Sequence, residues 1–155
     1  MFDKILVAMD MSAIGKHVLD ESLSNITYLD LTNMDADELL KRYATGDRDF
    51  TGANLARVKL IGANLVGAKL WGANLSGANL AKAKLWGANL CGANLVRANL
   101  TRANLCGANL VGANLRQAKL KYTKLYGANL SGACYDESTQ FSPGFDPASR
   151  NMRKV

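Results

Sequence analysis

At 155 residues the chain is long enough for one domain with a buried core. It is 48% apolar but only 7% aromatic, so that core has to be aliphatic and assembled from small pieces. The formal net charge is +6, unevenly spread: from Thr51 to Tyr135 there is no Asp or Glu, against eleven Lys and Arg, which excludes an acidic middle. Three cysteines, Cys91, Cys106 and Cys134, lie in no CxxC spacing and cannot all pair, which points to free thiols in a reducing compartment. The apolar run Ile5 to Met9 is too short for a secretory leader, and nothing later approaches transmembrane length. The expectation is a soluble, cytoplasmic protein.

Residues 1–33 read as an N-terminal extension. Ile5 to Met9 has the character of a short buried strand, Ser12 can cap a helix carrying Ile14, Val18, Leu19 and Leu23, and "NITYLDL" (25–31) reads as strand. Residues 34–48 then hold one amphipathic helix, expected over 35–47. Asp35 is its N-cap with Glu38 three residues on, Leu39, Leu40 and Tyr43 form its apolar face, and Gly46 stops it.

From 49 to 135 a period of five takes over. Leucine occupies every fifth position from Leu55 to Leu130, sixteen times without a miss. Two residues before each leucine sits Ala, except at Val58 and Thr123, and immediately before it sits Asn or Lys. The two positions that follow vary, with Gly frequent at the second. A unit of this kind can turn one large and one small apolar side chain inward and three residues outward. No unit buries much alone, so stacking of neighbouring coils has to supply the stability. After Asp136 the pattern stops, and residues 136–155 are polar with turn-forming Pro143-Gly144 and Pro147.

The A(N/K)Lxx run resembles the pentapeptide-repeat family, and the flanking "ELLKRYATGDRDF" and "YDESTQFSPGFDP" are similar to end segments of its cyanobacterial members. The resemblance implies an all-β solenoid: a right-handed quadrilateral β-helix of about four coils, with the N-terminal helix capping one end and the C-terminal segment the other. Some members of that family mimic DNA with an acidic surface, which the acid-free repeats of this chain do not carry.

A twenty-residue coil sorts the outward positions into four walls. The walls on Leu55 and Leu60 carry Arg57, Lys59, Lys82, Arg97, Arg102, Arg116, Lys119 and Lys121. The walls on Leu65 and Leu70 carry Trp71, Trp86, Cys91, Cys106, Val111 and Tyr126, each followed by glycine. The expected object is two-sided, one half basic and the other flat, apolar and aromatic. An exposed aromatic patch marks a protein contact, and a basic half attracts a polyanion, either nucleic acid or an anionic membrane surface.

The ends offer little chemistry. Residues 2–23 resemble the start of a universal stress protein, in which the residues matching Asp10 and Ser12 help hold an adenine nucleotide; the glycine-rich phosphate loop of that site has no counterpart here. His17 has no second histidine to share a metal, and Asp136 and Glu137 read as part of a terminal cap. The sequence therefore predicts a scaffold or adaptor without catalysis, cofactor or metal. It engages an unidentified protein, itself as a homodimer or another chain. Polyanion binding is the alternative, and nucleotide binding by the N-terminal stretch a third.

Overall fold

A computed structural model of the protein describes residues 33–155; the expected elements before residue 33, with Asp10, Ser12, His17 and the nucleotide reading, lie outside them. Helix α1 spans Ala36–Ala44, shorter than expected at its C-terminal end. The Asp35 carboxylate accepts the Glu38 amide at 2.8 Å, and Asp37 and Glu38 stand in the first turn with Lys41 and Arg42 in the last, the arrangement the helix dipole favours. Leu39 is fully buried and joins the same core as Phe50, while the half-buried Tyr43 donates its hydroxyl to the Val66 carbonyl at 2.8 Å. Leu40, expected on that face, is instead exposed, because the residue next to Leu39 lies about 100° further round the helix.

Beyond α1 the chain closes a circuit every twenty residues: parallel bridges join Asn54 to Asn74, Lys59 to Asn79, Asn64 to Lys84 and Lys69 to Asn89, and so on up the repeats. The Leu90 amide donates to the Asn109 carbonyl at 2.7 Å, and the Asn89 amide reaches back to Ala68 at 2.9 Å. Each unit ends in a turn; the Ala93 amide, for example, donates to the Leu90 carbonyl at 3.0 Å. Each side of the circuit contributes one bridging residue, too few for a strand. Among the described residues, only Cys134–Tyr135 (β1) and Arg153–Lys154 (β2) form an extended parallel pair.

The repeated leucines and the alanines two places before them fill the interior, with Leu55 to Leu120 at most 1% exposed. Alanine suits the space the leucines leave; the larger Val58 and Thr123 occur in the first and last coils, where that position is only half-buried. After Tyr135 the ladder continues from Lys119 to Gln140, Phe145 stacks on Phe141 at 4.7 Å between ring centroids, and Met152 is buried against the core.

Truncation inside and outside should differ sharply. Leu90→Ala is expected to lower unfolding free energy by about 2–5 kcal/mol, whereas Trp71→Ala should change it by less than about 0.5 kcal/mol in the same denaturant titration.

Candidate functional site

The chain bends at the two residues that follow each leucine, so these positions are corners. The second of them is left-handed throughout the repeats, from Gly52 at φ 67° to Gly132 at φ 68°. It is therefore not a freely varying position: glycine recurs there because the turn demands a positive φ. Placing the bends at these corners changes the assignment of residues to walls. Each group of outward residues borders one side of the circuit rather than spreading over two.

Trp86, Cys106 and Tyr126 stand at one edge of the side bridged through Lys69, Asn89, Asn109 and Asn129; Trp71, Cys91 and Val111 stand at its other edge. Trp71, Trp86 and Tyr126 are 55%, 58% and 87% exposed, while Cys91, Cys106 and Val111 are half-buried. Glycine fills every left-handed corner along both edges. The middle of the side differs from the expected continuous apolar wall. Asn89, Asn109 and Asn129 line it, their side-chain oxygens accepting the amides of Cys91, Val111 and Ser131 at 3.1 Å each. The thiols of Cys91, Cys106 and Cys134 are free.

The eight cations frame the opposite side, bridged through Lys59, Asn79, Asn99 and Lys119. Arg57, Arg97 and Arg116 occupy one pair of corner columns, and Lys82, Arg102 and Lys121 the other. Arg97 donates Nε–H to the Gln117 side chain at 2.6 Å, and the Arg102 guanidinium lies 5.9 Å from the Tyr122 ring centroid. Among the described residues, the ion pairs are Arg42 with Asp47 and Lys154 with Glu137, so none of the eight cations is ion-paired, although Asp35 and Asp37 line the same hollow as Arg57 and Lys59 and Asp136 accepts the Gln117 amide.

Sequence reading missed a coupling between the residue before each leucine and the residue after it. All eleven asparagines before repeat leucines accept the amide two residues on, as Asn74 does from Ser76 at 3.1 Å and Asn104 from Cys106 at 3.1 Å. Lysine at that position cannot accept. The residues that follow the five lysines are Ile61, Trp71, Trp86, Lys121 and Tyr126, every one of them large. After asparagine they are small or medium, Arg116 excepted. Each exposed aromatic of the candidate surface is thus preceded two residues earlier by a cation: Lys69, Lys84 and Lys124. This signal was present in the sequence, but it is visible only once the side-chain bond explains why the two positions are linked.

Asp136 closes a turn after the repeats. It accepts the amides of Gln117 and Ser138 at 3.0 Å and the Thr139 hydroxyl at 3.1 Å. Desolvation pushes its pKa up, but the bonds donated by Gln117, Thr139 and Ser138 outweigh it and hold the carboxyl below its ordinary value. Asp47 is lowered in the same way by the Asp49 amide and Arg42 against its own desolvation. Among the described residues, no group of three or more His, Cys, Asp or Glu could hold a metal ion, and no helix is long and apolar enough to cross a membrane.

Residues 49–134 match the pentapeptide-repeat family in overlapping stretches, and the chain belongs to that family. It is similar to a pentapeptide repeat protein from the cyanobacterium Cyanothece 51142, with 43% identity and a TM-score of 0.60 over 60% of this chain and 63% of that one. The chain therefore spans less than two thirds of that protein's length. A pentapeptide repeat protein from the thylakoid lumen of Arabidopsis thaliana is 34% identical, with a TM-score of 0.58 over 65% of this chain and 68% of its own. One from Nostoc PCC 7120 is 34% identical over 80% of this chain and 98% of its own, with a TM-score of 0.44. No curated protein matches the chain. The fold these relatives share is a right-handed β-helical solenoid, and the family consists in general of interaction or adaptor proteins rather than enzymes.

A carboxyl whose pKa is lowered on folding contributes stability above its unfolded value and loses it as pH falls through the folded one. Thermal stability should therefore be level from neutral pH down to about 5 and fall below about pH 4. In a calorimetric pH series, Asp136→Asn should show a lower plateau and a shallower acid decline.

Proposed function

We propose that this protein is a non-catalytic scaffold or adaptor of the cytoplasm. Residues 49–135 form a rigid solenoid of about four coils, α1 within 34–48 closes its N-terminal end, and residues 136–155 close the other. The docking surface is the side edged by Trp71, Trp86 and Tyr126, with Cys91, Cys106 and Val111 between and beside them. Its partner is a protein surface, either a second copy of the chain or a different one.

One observation carries this reading: three large aromatic side chains stand more than half exposed along the edges of a single side whose left-handed corners are all glycine. Burying such rings at an interface is strongly favourable, and tryptophan and tyrosine recur as interface anchors. Trp86 leans over the next coil, its indole nitrogen 4.0 Å from where a Cβ on Gly107 would stand. A Cβ there would meet the ring only at ordinary van der Waals distance, so it is the left-handed turn, with φ 65°, that calls for glycine at Gly107.

The double variant Trp71→Ala/Trp86→Ala is expected to keep its melting temperature and to lose self-association, or capture of its partner from native lysate, by at least about tenfold. Association through these rings should persist at about 0.5 M salt, where interactions between exposed charges are screened. Unchanged oligomeric state and unchanged capture by the double variant would remove the proposal.

A further inference from the structure

The second inference concerns the opposite side and does not depend on the scaffold reading. Six non-glycine residues of the repeats hold a left-handed backbone: Arg57, Lys82, Arg97, Arg102, Gln117 and Tyr122, with φ between 59° and 61°. All six fall in the two corner columns that border the basic side. The left-handed corner positions bordering the aromatic side hold only glycine. A side chain in that conformation costs on the order of 1–2 kcal/mol, and glycine, used at most other corners, would remove the strain. Four of the six strained residues are Arg or Lys. Strain that is kept on one side, and mainly to display cations, points to a use for those cations.

From these positions we infer that the basic side is a docking surface for an anionic lipid bilayer. Lys59, Asn79, Asn99 and Lys119 lie along a single line of bridges, rising about 4.8 Å per coil. The cations flanking them form a flat array, which can meet a planar charged surface all at once; a duplex is cylindrical and would bring its phosphates to only part of that array. The edge that carries Lys82, Arg102 and Lys121 also exposes two large apolar residues, Ile61 and Tyr122. Ile61 finds no partner on a phosphate backbone, but the boundary between lipid headgroups and acyl chains accepts it, and tyrosine favours the same depth. The cations are unpaired by any carboxylate among the described residues, and each Lys or Arg brought to an anionic bilayer adds attraction.

The test is co-sedimentation of the full chain with phosphatidylcholine vesicles, with and without about 30% phosphatidylserine. Binding is expected only to the anionic vesicles, falling by more than about tenfold on raising salt to about 0.5 M. Lys82→Gly/Arg97→Gly/Arg102→Gly should bind on the order of 100-fold more weakly while melting no lower than the parent, since glycine relaxes those corners. Lys59→Gln/Lys119→Gln/Lys121→Gln leaves the corner conformations alone and should weaken binding to a similar degree. Trp71→Ala/Trp86→Ala should bind the vesicles as the parent does. Equal binding to neutral vesicles, full binding by both charge variants, or tighter binding to a duplex of about 30 base pairs at matched phosphate concentration would overturn the inference.

Discussion

The amide ladder that joins one residue of each repeat unit to a partner one coil away forms only if the chain returns to the same position every twenty residues. That return is enforced from inside. A leucine and a small residue per unit fill the interior, and any other spacing would carry leucines out into water. A buried leucine contributes roughly 1.5–3 kcal/mol, so sixteen leucines aligned in four columns of apolar contact fix the register with no help from outward residues. The consequence for function is direct. Because the interior holds the shape, the outer sides are free to differ, and here they differ strongly: amide, glycine and aromatic on one, strained cations on the other.

The repeat and its interior were fully legible in the sequence, because a period of five with invariant leucine has no competing explanation in helix or strand periodicity. The α1 N-cap at Asp35 was legible for the same kind of reason: Asp with Glu three residues on is a local signal that needs no tertiary context. Leu40 was not. Its apolar character suggested burial, but one residue's rotation around the helix separates it from Leu39, and only packing decides which of two adjacent leucines faces the core.

The outer sides were legible in content but not in boundary. Arithmetic placed the cations together and the aromatics together, yet assigned each group to two walls centred on leucines. The bends fall at the residues after each leucine, which a count of residues cannot reveal. The same bends explain what looked like free variation: glycine answers a positive φ, and its replacement by Arg57, Lys82, Arg97 or Arg102 is a departure with an energetic cost. The coupling of Lys69 to Trp71 and Lys84 to Trp86 belongs here too. Asparagine ties down the corner amide through its side chain, and lysine leaves that amide facing outward beneath a large residue.

Residue-resolved amide exchange tests the core claim most directly, since it reads the ladder and the corners in one experiment. The amides of Leu90, Leu95 and Leu100, bonded to the next coil at 2.7–2.8 Å, should be the slowest to exchange. The Cys91 and Cys106 amides, held by Asn89 and Asn104, should be intermediate, and those of Trp71 and Trp86, which follow lysine, should be fast. Leucine amides exchanging as quickly as those of Trp71 and Trp86 would contradict a continuous interior column, and with it the separation of the two outer sides.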